Sequence, residues 1–244
     1  MDFILSEYVK RLRSNKNQLY RDLKPRARII KIIEAHILPE ISYLGYSFVK
    51  TRMQLERNVG NFKQIVWFRT NAKNYRDEVV AFAIHLKVEN EEYSKIRNTY
   101  NYLPDYHYHN NHSNLAFIAE TVEYLDEWKN ERNGYWYSLS LDDNIQIVNE
   151  IIKNIVSTTS IYLDENSNFE KSLEYRINKF NSLDYVGLLW IPDILILSKK
   201  LGKKNVQKAI LDKYIDWTKT EEAKKDIEDE MDIFKIIERI KNLL

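Results

Sequence analysis

The fold turns on one stretch, YSFVKTRMQLERNVGNFKQIVWFRTNAKNYRDEVVAFAIHLKV, Tyr46–Val88. Val49, Thr51, Met53 and Leu55 alternate with Lys50, Arg52, Gln54 and Glu56. Phe62, Gln64, Val66 and Phe68 alternate with Lys63, Ile65, Trp67 and Arg69. Val80, Phe82, Ile84, Leu86 and Val88 alternate with Ala81, Ala83, His85 and Lys87. A period of two is the pleat of a half-buried strand. Val59-Gly60-Asn61 and the polar run Asn71–Asp77 are turn and loop signals. Three such runs predict an antiparallel meander with one apolar face.

Outward from the meander the period changes. Upstream, Ile30, Ile33, Ile37, Ile41 and Leu44 follow helical spacing, with Pro25 at the start, a kink expected at Pro39 and a stop at Gly45. Downstream, Glu91–Tyr100 reads as a short helix and Leu115–Trp128 as a helix capped by Ser113. Tyr135–Leu141 alternates again and gives a fourth strand. Asp142 then caps a helix whose apolar face is Ile145, Val148, Ile152, Ile155 and Thr159. From about residue 168 the spacing is helical throughout, with breaks at Pro192 and Gly202. The expected class is α+β: an antiparallel sheet of about four strands packed on helices, followed by an all-helical C-terminal region. The expected organisation is a basic N-terminal helical extension over 1–24, a sheet domain over 25–165 and a helical region over 166–244.

Composition bounds the chemistry. The 244 residues include 44% hydrophobic and 30% charged side chains, with 37 Lys and Arg against 36 Asp and Glu. That balance describes a globular chain and excludes a disordered one. With no cysteine, disulfides, thiol nucleophiles and thiolate metal sites are excluded. No apolar run approaches the ~18 residues needed for a membrane span, and no signal peptide is read at the N-terminus. The expected location is therefore cytoplasmic, in a chain of bacterial style rich in Lys, Asn, Ile and Tyr. Charge is unevenly placed. Residues 1–87 hold 17 basic against 8 acidic side chains, and residues 88–244 hold 20 against 28. Nine basic residues face a single acid, Asp22, between Lys10 and Lys31. Such a run would attract nucleic acid, an acidic protein or a membrane surface, or dock on the chain's own acidic half.

His36–Lys50, HILPEISYLGYSFVK, resembles the opening of a bacterial family, domain of unknown function family 4304, in which a helix ending in Leu-Gly-Phe enters a basic strand. Leu44-Gly45-Tyr46 followed by Lys50 and Arg52 matches that junction, and Leu195–Ala209, LILSKKLGKKNVQKA, is similar to the family's C-terminal helical pair. The resemblance spans roughly residues 30–210. The basic N-terminus and a long Tyr/His/Asn loop depart from it. The family brings no catalytic residues, and its association with toxin-immunity and defence neighbourhoods implies a binding protein.

Two constellations are candidate sites. On the polar side of the expected sheet Lys50, Arg52, Lys63, Trp67, Arg69, His85, Lys87 and Trp136 would lie together. Cations for phosphates and rings for bases are how several single-strand binders work. The loop Asp105-Tyr-His107-Tyr-His109-Asn-Asn-His112 offers three imidazoles and a carboxylate to a metal, although the helical zinc-protease spacing is absent. There is no Walker loop, dinucleotide fingerprint or nucleophile elbow. A restriction-type nuclease triplet would fall on His85-Leu86-Lys87, where the middle carboxylate is missing. No catalytic residue and no cofactor is assigned. The expected function is a non-catalytic protein that binds another protein, as an immunity or defence-accessory protein would. A nucleic-acid binder using the basic half and sheet face is the alternative, and a metal-dependent enzyme at the His-rich loop comes third.

Overall fold

The computed structural model describes residues 17–71, 74, 80–100, 116–121, 136–139, 143–181, 190–220, 223 and 231–243. The chain divides into two compact units, one of residues 1–89 with 118–164, the other of residues 90–117 with 165–244.

The first unit is built on a six-stranded sheet. Its strands are β1 (Ser47–Val49), β2 (Gln54–Val59), β3 (Phe62–Thr70), β4 (Ala81–Glu89), β5 (Ala116–Thr121) and β6 (Tyr137–Ser138). They lie in the order β1-β2-β3-β4-β5, and β6 also pairs with β4. The ladders β1–β2, β2–β3, β3–β4 and β4–β6 are antiparallel. The register Leu55↔Val66, Val66↔Leu86, Phe68↔Ile84 and Phe82↔Tyr137 collects the apolar residues on one face, as the period of two demands. These side chains are buried, and Phe82 and Tyr137 stack with centroids 5.4 Å apart.

Helices cover that face. The first is α1 (Pro25–Ile32), continued by a π-turn (Ile33–Ile37), α2 (Leu38–Ile41) and a 3-10 turn (Ser42–Leu44). Pro25 occupies the first turn of α1, where its missing N–H is not needed. The kink expected at Pro39 takes the form of the π-turn, in which the Leu38 N–H reaches the Ile33 carbonyl. Widening the turn just before a proline relieves the clash of its ring with the preceding turn. Gly45, at φ 81°, stops the helix as expected. The second is α4 (Asn144–Asn154), continued by a π-turn (Ile155–Thr159) and α5 (Ser160–Glu165). The Tyr137 hydroxyl donates to Glu150 of α4, 3.3 Å, and the Gln64 amide donates to Asp164 of α5, 2.9 Å.

Five expectations are corrected. The alternation through Val49–Glu56 is not one strand, because Lys50–Met53 forms a turn with Met53 at φ 54°. Residues 116–121 form β5 rather than the start of a helix, since the ladder offered by β4 outweighs weak local preference. The fourth strand shortens to two residues, and the helix cap is Asp143, not Asp142, its carboxylate accepting from the Ile145 and Gln146 N–H groups. The apolar face of α4 is shifted in part: Val148, Ile155 and Thr159 are buried as expected and Ile147 and Ile151 join them, while Ile145 is exposed and Ile152 half-buried.

The second unit is helical, with α3 (Glu91–Thr99), α6 (Phe169–Asn181), α7 (Ile191–Lys200), α8 (Lys204–Trp217) and α9 (Met231–Leu243). Asn90 caps α3 by accepting from the Tyr93 N–H, 2.8 Å. Every residue from Ile191 to Ser198 is buried, and α7 runs against α6, α8 and α9. A helix apolar on all sides needs such enclosure. No helix among the described residues is long and apolar enough to cross a membrane.

Within this unit Asp193 on α7 is 1% exposed and holds three partners. Tyr93 donates to its Oδ1 at 2.5 Å, Arg97 Nη2 lies 3.2 Å from Oδ1, and Arg176 Nε lies 3.9 Å from Oδ2. Burial first, and Asp193 second, push the Tyr93 hydroxyl well above its ordinary pKa. Asp193→Ala would bring two buried guanidiniums together without their shared carboxylate. It is expected to cost about 3–5 kcal/mol, read as a fall in the urea midpoint. Tyr93→Phe, which removes one donor, is expected to cost about 1–3 kcal/mol. A midpoint unchanged in Asp193→Ala would show that the cluster does not hold the helices together.

Candidate functional site

The β3–β4 ladder aligns Lys63, Ile65, Trp67 and Arg69 with Glu89, Lys87, His85 and Ala83. Lys63, Trp67, Arg69, His85 and Lys87 therefore share the sheet face opposite the helices, as expected from the alternation. Across β2 the same face carries Gln54, Glu56 and Asn58. Lys50 and Arg52 do not join a strand. They sit in the turn between β1 and β2, because the left-handed Met53 ends the first run early. Trp136 precedes β6 and is half-buried. Asp105, His107, His109 and His112 lie outside the described residues. Among the described residues no three His, Asp or Glu side chains are placed to hold a metal ion.

Carboxylates accompany four cations of this region. Glu56, which the sequence reading passed over, takes Arg52 at 2.9 Å and Lys63 at 2.7 Å. Glu89 takes Lys87 at 2.8 Å, and Glu34 takes Lys50 at 2.5 Å. The signal for two of these was in the pattern: Glu56 and Glu89 fall on the same strand parity as the cations they neutralise. Cross-strand pairs of opposite charge contribute roughly 0.2–1 kcal/mol each and cancel the field that phosphates would follow.

His85 is 3% exposed, with its ring 5.5 Å from that of Trp67 and tilted by 42°. Burial, and next the Arg69 charge, lower its pKa from 6.5 to about 4. It is neutral at pH 7 and contributes no positive charge to the face.

At the end of the sheet Gly45, Ser47, Glu56, Arg57, Asn58 and Lys63 line an open polar cleft of about 370 Å³. Arg57 is bound there on several sides. It donates to Gln64 at 2.5 Å, to the Leu44 carbonyl at 3.0 Å and to Asp164 at 2.6 Å, and lies 4.7 Å over the Tyr46 ring. Its role is to pin the β2–β3 hairpin to α5. With Lys63 held by Glu56, both cations of the cleft are neutralised locally.

A different feature stands out on α4 and α5. Ile145, Val156 and Ile161 are 40%, 36% and 56% exposed, and Ile152 is half-buried. Seven residues separate the first pair and four the next, so they fall on one helical face. Five residues separate Val156 from Ile161, which would break the stripe in an α-helix. The π-turn repairs the phase: the Ser160 N–H bonds the Ile155 carbonyl five residues back, so positions five apart come into line. The result is an apolar stripe of about 24 Å at helical rise, flanked by exposed Gln146, Asn149, Lys153 and Ser157. Sequence reasoning assigned Ile145 and Ile152 to the core and so missed it. The visible sign is an apolar arc on this helix wider than one buried face needs.

The His85 shift has a pH consequence. A folded-state pKa below the unfolded one means that the unfolded chain binds the proton first, so stability rises with pH across the window from about 4 to 6.5. Moving from pH 7 to 4.5 is expected to cost the wild type about 2.5 kcal/mol more than His85→Gln, measured as the difference in urea unfolding free energies. Equal losses in both proteins would mean that His85 does not resist protonation.

The chain matches no family model, no curated protein and no solved structure.

Proposed function

We propose that the protein is a non-catalytic, cytoplasmic binding protein whose partner is another protein, engaged along the α4–α5 stripe. The observation that carries this reading is the alignment of Ile145, Ile152, Val156 and Ile161 in solvent-facing register across a π-turn. Apolar side chains scattered singly over a surface need no explanation, but a row of them along one helical face bordered by polar residues is the anatomy of a contact surface. An amphipathic helix offering anchors at such spacing recognises a groove or a second helix. Pairing of Lys50, Arg52, Lys63 and Lys87 with Glu34, Glu56 and Glu89 also favours a protein over nucleic acid in this region. The likeness to family 4304 points the same way, toward immunity or defence-accessory roles.

The test replaces Val156 with a photo-cross-linking residue in the full chain and irradiates the producing cells. One predominant adduct is expected from position 156 and none of the same mass from Lys171, on a different helix. Val156→Glu with Ile161→Glu should abolish capture of that protein while shifting stability by no more than about 0.5 kcal/mol, the usual range for exposed sites. No adduct from position 156, or a large loss of stability in the double variant, overturns the reading.

A further inference from the structure

The cations of the second unit are arranged differently from those of the sheet. Between Asp193 and Asp212 there is no acidic residue, while Lys199, Lys200, Lys203, Lys204 and Lys208 fall within ten positions. They surround the tight reversal from α7 to α8. Its backbone is fixed: the Lys203 N–H bonds the Ser198 carbonyl, the Gly202 N–H bonds the Lys199 carbonyl, and Gly202 sits at φ 67°. That pair of bonds with a left-handed glycine is a Schellman ending, so the lysines are presented by an ordered backbone.

Lys200 pairs with Glu92 and Lys199 lies 5.8 Å over the Tyr100 ring. Among the described residues Lys203, Lys204 and Lys208 have no carboxylate partner. Lys204 and Lys208 are exposed, Lys203 half-buried. Lys204 and Lys208 stand one helical turn apart, about 6 Å along α8. Asn205 lies exposed between them.

We propose that this α7–α8 hairpin is a docking site for the phosphate backbone of nucleic acid, bound without regard to sequence. Charge complementarity asks for an anion, and the makeup of the patch selects which. Protein interfaces are depleted in Lys and anchored by aromatic residues and Arg at a desolvated centre. From Lys199 to Lys208 there is no aromatic residue and no Arg, and Leu201 and Val206 are half-buried. Backbone phosphates need only cations and amide donors, which Lys203, Lys204, Asn205 and Lys208 provide. The site lies in the other unit from the α4–α5 stripe and does not depend on the protein-partner reading.

The test uses the full chain and fluorescein-labelled 20-nucleotide DNA, two unrelated single strands and one duplex, followed by anisotropy. Binding is expected to all three, weakening roughly 20- to 40-fold between 50 and 200 mM NaCl if three phosphates are engaged. Lys203→Glu/Lys204→Glu/Lys208→Glu should weaken it at least tenfold, and the matching triple Gln variant by less. Lys50→Glu with Arg52→Glu, at the sheet, should leave it unchanged. Circular dichroism checks that each variant is folded. No salt-dependent binding at 50 mM, an unchanged affinity in both triple variants, or preference for one single strand overturns the proposal. Polyglutamate competing better than unlabelled DNA would overturn it in favour of an acidic protein.

Discussion

The first unit depends on where one guanidinium is buried. Arg28 of α1 is 1% exposed and donates to three acceptors from distant parts of the chain: the Leu19 carbonyl at 2.8 Å, the Leu139 carbonyl at 3.1 Å and Asn144 Oδ1 at 2.9 Å. Asn144 answers with its own amide to the Leu139 carbonyl, 2.9 Å, while its oxygen also receives the Leu19 N–H. Burial, with a smaller contribution from Arg21, lowers the Arg28 pKa, which shows the cost of taking that charge out of water. The cost is offset only while every one of these acceptors stays in place. The network therefore ties the first helix, the end of β6 and the start of α4 into one arrangement.

Its consequence reaches the proposed contact surface. With Asn144 drawn inward, the next residue, Ile145, must face outward, and each later residue of α4 follows at 100° per step. Ile147, Val148 and Ile151 then meet the sheet, and Ile152 and Val156 fall on the rim or outside. The apolar arc of α4 is wider than one buried face needs, and the hydrogen bonds of Asn144 favour the choice of which part of it turns inward. The two π-turns of this unit have separate origins. The one at Ile33–Ile37 precedes a proline. The one at Ile155–Thr159 has none nearby, and its effect is to keep Ile161 in phase with Val156.

That choice marks the boundary of what could be read from the chain alone. The alternation in Phe62–Arg69 and Val80–Val88 was legible because both strands bury one face completely, so register and periodicity carry the same information. The joint at Gly60 and the stops at Gly45 and Gly202 were legible for the same local reason. The alternation places Lys50 and Arg52 on a strand, because the left-handed turn at Met53 has no glycine to announce it. Residues 116–121, AFIAET, have no strong preference of their own, and the edge of β4 makes them a strand. The Tyr93–Arg97–Arg176–Asp193 cluster was invisible: Tyr93 and Asp193 stand 100 positions apart in sequence and meet only when α7 is enclosed. Spacing alone reads Ile145 and Ile152 as core, whereas Asn144, hydrogen-bonded to Arg28 across 116 positions, turns inward beside them.

Charge shows the same separation between local count and folded result. By tally, residues 1–87 are the basic part of the chain and the remainder acidic. In the folded units the tally inverts at the sites that matter. Lys50, Arg52, Lys63 and Lys87 each find a carboxylate, because strand parity and the β1–β2 turn bring Glu34, Glu56 and Glu89 beside them. Lys203, Lys204 and Lys208 of the α7–α8 hairpin make no ion pair among the described residues; Asp212, one turn on from Lys208 along α8, is the acid that stands nearest in sequence. Coulomb interaction falls with distance and is screened within about 10 Å at moderate salt. An anion approaching the surface therefore responds to pairing over a few ångströms and not to the sum over half a chain. By that criterion Lys50, Arg52, Lys63 and Lys87 of the basic part offer an anion less than their number suggests.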